Sequence, residues 1–423
     1  MKSVADLLMK NVAIPGGRIA DIAIRDGIVG HVGAGLRAET IIDATGFLCL
    51  PGGVDMHVHM RGGVQAQKET WATGTRSALA GGVTVVIDQP NQLPPVADIP
   101  TLKARIREAK QESLCNFGIN GSVSRDADIE GMWRAGVTAF GETFAAPSSY
   151  GEAIGHTELA SLLGRIRRLG GLATIHAEDV LIGMDDSLSA HNALRPGTGE
   201  AQTVARIGAL APDGMALHYC HLSCIHSIDV AAGSVEVTPH HLFLSYEMFD
   251  DDDGRAKVNP PLRREKARSK VWSRWDRIDV VASDHAPHTL PEKSVAFADA
   301  PSGIPGVETM IPLLLAAVLE GRISLASLID KTSYTPCRLL GIPCAGFVPG
   351  VRADFALFPR KKDRVDPDAL HSRAGWTPYE GMEAVFPAQV IMNGGIAYHD
   401  GEFTGSPGTW VPGRGYMGDQ SQI

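Results

Sequence analysis

The sequence predicts an α/β fold, a (β/α)8 barrel of the TIM type joined to a small, discontinuous β-sandwich domain. Three observations predict it: apolar strand-like runs recur along the middle of the chain, helical patterns separate them, and short β runs with glycine turns occupy both ends. A doubly wound sheet is the alternative. That fold more often has a glycine-rich phosphate loop after its first strand, and this chain has none.

Eight apolar runs are predicted to form the barrel strands. In chain order they are Phe47–Leu50, Val83–Asp88, Asn116–Val123, Val137–Phe140, Leu172–His176, Met215–His221, Val235–Thr238 and Ile278–Ser283. Helices are predicted over Glu69–Ala80, Leu102–Glu112, Glu158–Leu169, Glu265–Trp275 and Glu308–Leu319. This alternation of strands and helices is typical of βα units that close into a barrel.

Both ends of the chain have the pattern of short β-strands instead. The runs are Arg18–Ile24, Ile28–Val32, Thr40–Asp43, Asp354–Phe358, Val390–Met392 and Ile396–Tyr398. We therefore predict a composite β-sandwich domain from residues 1–50 and 346–423, and a barrel domain from residues 51–345.

Composition and charge argue against several classes of protein. The 423 residues are 44% hydrophobic, which supports a full core, and the net charge of −9 argues against binding to nucleic acid or to acidic membranes. No apolar stretch of about 20 residues could span a bilayer, and the N-terminus lacks the apolar region of a secretory signal. The six cysteines are scattered, unlike a disulfide framework, so a cytoplasmic location is expected.

Polar side chains follow several of the predicted strands. The chemistry of such barrels lies at the C-terminal ends of the strands. His57 and His59 are two residues apart and so project to the same side, while His176, His221 and Asp284 end the fifth, sixth and eighth strands. Four histidines and an aspartate at one rim predict a metal site. Nitrogen and carboxylate ligands suit zinc, and manganese, iron and cobalt stay open.

These motifs resemble those of the cyclic amidohydrolases, and most closely those of the dihydroorotases. The matching stretches are Pro51–Arg61, Gly81–Asn91, Gly136–Phe144, Thr174–Glu178, His218–Ser223, Glu236–Leu244, Val258–Arg263, Ser283–Thr289, Ile304–Leu313 and Gly375–Gly381. Two segments are especially similar to the dihydroorotase domain of the multifunctional pyrimidine-synthesis enzyme of animals. They are Ser283–Thr289 and, within Ile304–Leu313, Pro305–Met310.

The resemblance implies a ligand set for one or two zinc ions. His57, His59 and Asp284 would hold one ion, and His176 and His221 would hold a second. Asp284 would also move the proton between the attacking water and the leaving ring nitrogen.

The resemblance also implies a substrate site. Arg61 would bind a substrate carboxylate together with Asn91 and His288, because a guanidinium offers two donors to a carboxylate. Asn259, in the matching stretch Val258–Arg263, is a further substrate-binding candidate. Hydantoinases and dihydropyrimidinases, whose substrates lack that carboxylate, generally lack this arginine.

Four other residues match the family in supporting roles. Thr143 and Phe144 match a mobile lid of the animal-type enzyme and are expected to cover the substrate. His240 and His241 are expected to support or pack against the ligands.

The chain departs from the family pattern at the bridging lysine. Two-metal members usually bridge their ions with a carboxylated lysine at the end of strand four, but no lysine occurs between Lys110 and Lys257. The two possible alignments place Val137 or Gly141 there. Glu142 is then either a bridging carboxylate or a residue of the rim, and the sequence slightly favours the rim.

A second departure follows Arg61. Gly62 and Gly63 replace an Asp-Pro pair that is common in the family. This replacement is expected to loosen the loop that contains Arg61, Gly62 and Gly63, which we call the first loop.

The implied reaction is the reversible hydrolysis of (S)-dihydroorotate to N-carbamoyl-L-aspartate. Two alternatives stay open: another cyclic amidase, such as an allantoinase or a hydantoinase, and a non-catalytic dihydroorotase-like subunit that scaffolds a partner. The expected ligand is a small cyclic ureide, and the resemblance leaves open a homodimer and an association with aspartate transcarbamoylase.

Overall fold

A computed structural model describes residues 5–145 and 154–418 of the chain. Its first five strands are Ala5–Ala13 (β1), Ile19–Arg25 (β2), Ile28–Gly33 (β3), Ala38–Asp43 (β4) and Leu48–Pro51 (β5). The first four form one sheet in the order β3-β2-β1-β4, with β1 antiparallel to β2 and parallel to β4. The sequence pattern had indicated β2, β3 and β4 but not β1.

Eight parallel strands in chain order build the barrel. They are Gly53–Val58 (β6), Val83–Asp88 (β7), Asn116–Ile119 (β8), Phe140–Phe144 (β9), Leu172–His176 (β10), Ala216–Tyr219 (β11), Ser234–Val237 (β12) and Val280–Val281 (β13). Strands β6 to β8 pair in one run and β9 to β13 in another. Parallel bridges from Gly121 to Phe140 and from Val58 to His285 join the two runs. The sheet therefore closes on itself, which confirms the predicted barrel.

The first predicted barrel strand is wrong. The run Phe47–Leu50 corresponds to β5, which pairs antiparallel with Phe355–Phe358 and belongs to a sandwich sheet. The backbone passes from the sandwich to the barrel between two glycines. The amide of Gly52 donates to the carbonyl of Asp354, which precedes the sandwich strand Phe355–Phe358. The amide of Gly53 donates to the carbonyl of Gly82, which precedes the barrel run Val83–Asp88. Short apolar runs in a sandwich and in a barrel have the same pattern, so the sequence did not separate them.

The fourth barrel strand also differs from its prediction. It begins at Phe140 instead of Val137, and it extends to Phe144. The extension beyond Phe140 brings Glu142 into the strand.

The remaining strands lie in the C-terminal part of the chain. They are Phe355–Phe358 (β14), Asp363–Arg364 (β15), Glu383–Ala384 (β16), Gln389–Met392 (β17), Gly395–His399 (β18) and Glu402–Phe403 (β19). Strands β19, β18, β17, β14 and β5 form an antiparallel sheet. This sheet shares one buried cluster with the sheet of β1 to β4, to which Met9, Ile22, Phe355 and Ile391 all contribute. The two ends of the chain therefore build a β-sandwich, as predicted.

The division into residues 1–50 with 346–423 and residues 51–345 stays a prediction. Parts of the C-terminal segment contact the barrel: the indole of Trp376 donates to the carbonyl of His288 (2.8 Å), and the amide of Phe117 in β8 donates to the carbonyl of Thr409 (3.0 Å).

Helices lie between the barrel strands. They are Trp71–Ala80 (α1), Ile99–Glu112 (α2), Ile129–Ala135 (α3), His156–Leu169 (α4), Leu188–Leu194 (α5), Gly197–Leu210 (α6), Ile225–Val230 (α7), Pro239–Phe243 (α8) and Glu265–Trp272 (α9). Four more follow β13: Leu290–Lys293 (α10), Met310–Leu319 (α11), Leu325–Ile329 (α12) and Thr335–Leu340 (α13). The five predicted helices match α1, α2, α4, α9 and α11 to within three residues at each end. Over residues 5–145 and 154–418, no helix is long and apolar enough to cross a membrane.

Helix α2 shows how the sequence specifies such an element. The side chain of Asp98 caps its N-terminus by accepting from the amide of Thr101 (2.8 Å). Leu102, Ile106 and Ala109 recur at helical spacing on its buried face. Arg105 lies on the same face, a charged residue among apolar ones.

The shared sandwich core predicts a stability difference between two substitutions. Phe355 is fully buried, so Phe355→Ala should lower the free energy of unfolding by about 3–5 kcal/mol. Ile19, in the same sandwich, is 69% exposed, so Ile19→Ala should change it by no more than about 0.5 kcal/mol. Denaturant titration of both variants measures the difference. A loss below about 1 kcal/mol for Phe355→Ala would contradict the shared core.

Candidate metal and substrate site

The C-terminal rim of the barrel brings the predicted ligand residues together. His57 lies in β6, His176 ends β10, and His59, His221 and Asp284 lie just beyond the ends of their strands. All five side chains are buried. Their positions at one end of the barrel agree with the predicted convergence.

One group of ligand atoms surrounds the carboxylate of Asp284. Its Oδ1 lies 3.5 Å from Nε2 of His57 and 3.2 Å from Nε2 of His59. Nε2 of His57 is buried and has no hydrogen-bond partner among the described residues. An unpartnered imidazole nitrogen that faces a carboxylate and a second imidazole fits a site for a divalent cation.

Glu142 lies inside the cluster and not at the rim that the sequence favoured. Its Oε1 is 2.8 Å from both Nδ1 of His176 and Nε2 of His221. Its Oε2 is 3.6 Å from Nε2 of His57 and 4.0 Å from Nε2 of His59. The physical reason is that β9 continues to Phe144, so Glu142 belongs to the barrel wall and its side chain reaches His176 and His221. One carboxylate therefore faces both groups of histidines.

Three of the histidines use their other ring nitrogen for a supporting hydrogen bond. The contacts are His57 Nδ1 to Glu236 Oε1 (2.9 Å), His59 Nδ1 to Asn91 Oδ1 (2.8 Å) and His176 Nε2 to Glu178 Oε2 (2.7 Å). Each acceptor oxygen requires a proton on the nitrogen it contacts. The nitrogen that faces the cluster is then the one that can give its lone pair to a metal. Nε2 of His59 and Nδ1 of His176 also contact carboxylate oxygens, of Asp284 (3.2 Å) and of Glu142 (2.8 Å), and would bind a metal only after losing any proton held there.

Glu236 is a functional residue that the sequence reasoning did not single out. It accepts hydrogen bonds from His57, from Nε2 of His218 (3.0 Å) and from the amide of His221 (3.0 Å). The available signal was a charged residue inside the apolar strand β12. Glu178, which ends the matching stretch Thr174–Glu178, is likewise the partner of an imidazole, that of His176.

The buried carboxylates favour positive charge at the cluster, and the pKa values of the groups around it show this. Burial by itself lowers the pKa of His57, but the carboxylates of Glu236 and Asp284 outweigh burial and hold it well above its usual range. Burial opposes the ionisation of Glu142, yet His57 and His176 keep the pKa of this carboxyl well below its usual range. The site therefore keeps its carboxylates ionised, and four imidazoles with two carboxylates suit zinc.

Three residues around the site have a strained backbone. Arg61, His221 and Asp284 have φ of 47°, 36° and 46° respectively, in the left-handed region that side chains with a Cβ disfavour. Each follows a barrel strand. Strain of this kind persists where surrounding contacts enforce it, and it is concentrated at functional sites.

The cleft beside the cluster gathers the predicted substrate residues. Arg61 and Asn259 line it together with His59, Glu142, His176 and Asp284. A wider neighbouring pocket is lined by Asn91, Thr143 and His288, and it shares Glu142, Phe144 and Ser302 with the cleft. Nδ2 of Asn91 and Oδ1 of Asn259 are buried without a hydrogen-bond partner among the described residues, so both remain available to a ligand.

The lid role of Thr143 and Phe144 stays a prediction, and the structure shows only where they lie. Both belong to β9 and pair with Ile175 and His176 of β10, so they are part of the barrel wall. The ring of Phe144 lies 4.9 Å from the imidazole of His176. His240 and His241 are fully buried on α8, and Nε2 of His241 contacts the carbonyl of Pro260 (3.0 Å), which agrees with the packing role.

Positive charge collects on the other side of the cleft. Burial and the neighbouring cations Arg61, Lys68 and Lys293 hold the pKa of His288 far below its usual range. The side chain of Arg61 is almost fully buried. The cleft therefore has a negative cluster of ligands facing a positive region that favours an anion.

Lys293 ties two segments of the cleft together. Its Nζ donates to the carbonyls of Lys257 (2.9 Å) and Pro301 (2.7 Å). Asn259 comes two residues after Lys257, and Ser302 comes directly after Pro301. Both line the cleft. Burial, with a smaller effect from the charge of Lys257, lowers the pKa of Lys293 to about 7.

The lowered pKa of Lys293 predicts a pH dependence of stability. The folded protein releases this proton near pH 7, while the unfolded chain keeps it up to the ordinary lysine value of 10.5. Between these values the unfolded chain binds more protons, so Lys293 makes the free energy of unfolding rise with pH. Urea titrations at pH 7 to 10 should show a shallower rise for Lys293→Met than for the wild type.

A matched control is Lys361→Met, which changes an exposed lysine and should keep the wild-type slope. Parallel curves for Lys293→Met and the wild type would contradict the lowered pKa.

Comparisons with known proteins agree with this geometry. Residues 48–394 match the model of the amidohydrolase family. Proteins named dihydroorotase are similar over nearly the whole chain. That of Methanosarcina mazei is 38% identical, and the match covers 95% of this chain and 96% of the relative. That of Halobacterium salinarum is 36% identical, and the match covers 92% of this chain and 95% of the relative. The fold is similar to an L-hydantoinase (dihydropyrimidinase) structure from Arthrobacter aurescens, with a TM-score of 0.89, 24% identity and coverage of 97% of this chain and 100% of that one.

Proposed function

The chain belongs to the amidohydrolase family, and on that premise we propose that it is a dihydroorotase. In this role it hydrolyses the cyclic amide of (S)-dihydroorotate reversibly to N-carbamoyl-L-aspartate, with ring closure as the direction of de novo pyrimidine biosynthesis. The dihydroorotases from the two archaea support the assignment, because the similarity covers more than nine-tenths of each chain.

The observation that carries the proposal is the position of Arg61. Its side chain is buried at the cleft that also contains the ligand cluster, and its charge acts on His288 together with that of Lys68. A ring that bears a carboxylate can bridge the two sides, with its amide at the ligand cluster and its carboxylate at the cations. Hydantoins and dihydrouracil offer no carboxylate to this region.

The donor set supports one or two zinc ions. His57, His59 and Asp284 would hold one ion, His176 and His221 would hold the other, and the two oxygens of Glu142 would face both in place of a carboxylated lysine. When bound, the metal would polarise the ring carbonyl and lower the pKa of water toward neutrality.

Side chains of the chain itself perform the proton transfer and the positioning. The ionised Asp284, whose pKa is lowered chiefly by His57 and His59 against the effect of burial, accepts the proton of the attacking water. The same carboxyl returns the proton to the ring nitrogen as the amide bond breaks. Arg61, Asn91 and Asn259 hold the ring so that its carbonyl faces the cluster.

The four histidines and Asp284, all present at the cluster, support a catalytic enzyme over a non-catalytic scaffold. A homodimer, an association with aspartate transcarbamoylase and a cytoplasmic location stay predictions. Sedimentation of the purified protein, alone and with an aspartate transcarbamoylase, tests the first two.

Removal of Arg61 tests the choice of substrate. Arg61→Met takes a charged partner from a desolvated carboxylate, which typically costs about 2–5 kcal/mol, so kcat/KM for dihydroorotate should fall by roughly 30- to 5,000-fold. Turnover of dihydrouracil, for which the wild type should be poor, should change little. Steady-state assays on both rings measure the effect.

Arg107→Met is the control, since it changes an exposed arginine of α2 and should leave both activities unaltered. Normal turnover of dihydroorotate by Arg61→Met would contradict the dihydroorotase assignment, and so would a wild type that prefers dihydrouracil or allantoin.

Removal of Glu142 tests the bridging carboxylate. If this side chain contacts both ions, Glu142→Ala should lose at least one of the two zinc ions held per chain. Elemental analysis after dialysis against metal-free buffer gives the ratio, and Glu39→Ala, which changes an exposed glutamate, should keep the wild-type content. Two ions retained by Glu142→Ala would rule out the bridge.

A further inference from the structure

We propose that Asp88, Arg105 and Glu108 are positioning residues that hold the backbone on both sides of Arg61 and so aim its guanidinium at the substrate carboxylate. We call these three side chains the loop clamp. The inference rests on the proposed function, because it takes Arg61 as the residue that binds the carboxylate.

Arg61 needs such a restraint because its backbone is disfavoured. Its φ of 47° lies in the left-handed region, where the Cβ of an L-residue is crowded. A residue keeps this conformation only where its surroundings enforce it. The contacts that flank Arg61 therefore help to fix its backbone and the direction in which its side chain leaves it.

Two carboxylates hold the peptide groups on either side of Arg61. Oδ1 of Asp88 accepts a hydrogen bond from the amide of Met60 (2.8 Å), and Oε1 of Glu108 accepts one from the amide of Gly63 (3.2 Å). Asp88 ends β7, and Glu108 lies on α2. The first loop is therefore attached at two points to elements that belong to the barrel.

Arg105 joins the two carboxylates into one unit. Its Nε donates to Oδ2 of Asp88 (2.8 Å), and its Nη1 donates to Oε2 of Glu108 (2.7 Å). The guanidinium is buried 4.7 Å from the ring centroid of Trp71. Burial opposes its charge, but Asp88 and Glu108 raise the pKa of Arg105 above its usual value. This pairing explains why a charged residue lies on the apolar face of α2.

The glycine after Arg61 leaves room for the clamp. A Cβ on Gly62 would lie 2.2 Å from Oε1 of Glu108 and 3.1 Å from Nη1 of Arg105, and its φ of 78° also favours glycine. The Gly-Gly pair that departs from the family pattern thus admits Glu108 to the backbone. The first loop is tied to α2, contrary to the expectation that these glycines loosen it.

The clamp predicts a selective loss of carboxylate binding. Glu108 is the safest member to change, because its side chain is 32% exposed whereas Asp88 and Arg105 are buried. In zinc-loaded Glu108→Ala the Kd of orotate, an unsaturated analogue of dihydroorotate that keeps the carboxylate, should rise about tenfold. The Kd of uracil, which lacks the carboxylate, should stay within about twofold of the wild type. Titration calorimetry measures both.

Two further variants separate positioning from a general structural effect. Glu108→Gln keeps an acceptor for the amide of Gly63 but loses the one for Nη1 of Arg105, so its Kd for orotate should lie between those of the wild type and Glu108→Ala. Glu112→Ala changes an exposed glutamate one turn further along α2 and should leave both affinities unaltered. An unchanged ratio of orotate to uracil affinity in Glu108→Ala would overturn the clamp.

Failure of the proposed function gives a different result. In that case the wild type itself would bind orotate no better than uracil. A crystal structure of Glu108→Ala then decides the clamp directly: displacement of Arg61 from its left-handed conformation supports it, and an unmoved Arg61 overturns it.

Discussion

The carboxylate of Glu142 is the contact on which the rest of the site depends. A buried carboxylate is costly unless it is paired, and this one is paired with His176 and His221, each 2.8 Å from the same oxygen. Its partners come from β10 and from the segment after β11, while its second oxygen faces His57 in β6. A single side chain thus holds together strands from opposite parts of the barrel, and a closed barrel is what brings these strand ends to one rim.

The histidines in turn depend on carboxylates below them. Glu236 supports His57 and His218, and Glu178 supports His176 while it pairs with Arg195 (2.6 Å). Buried networks of this kind specify one arrangement because a missing partner leaves an uncompensated charge or donor. The orientation of each imidazole is therefore set one layer below the cluster. This arrangement turns the other nitrogen of each ring toward the carboxylates of Asp284 and Glu142, where a cation would be held.

The cleft combines two subsites of opposite charge. The ligand cluster supplies negative charge for cations, whereas Arg61 and Lys68 supply positive charge a short distance away. Two elements that carry no ligand of the cluster help to secure this positive side: α2 through the loop clamp, and the C-terminal segment through the bond from Trp376 to the carbonyl of His288. Binding of an anionic ring and binding of metal are thus supported by different parts of the fold.

The alternation of strands and helices and the convergence of His57, His59 and Asp284 at one rim were predictable from the sequence. They follow from local periodicity and from the rule that parallel strands end at one edge, whereas the lack of a bridging lysine was visible through the resemblance to the family. Three other features needed the three-dimensional structure: the run Phe47–Leu50 belongs to the sandwich, Glu142 lies inside the cluster, and Glu236 supports it. Those outcomes depend on contacts between distant residues, 34 positions apart for Glu142 and His176 and 179 for His57 and Glu236. No local pattern specifies such pairings, because they arise when strand register and barrel closure place the side chains face to face.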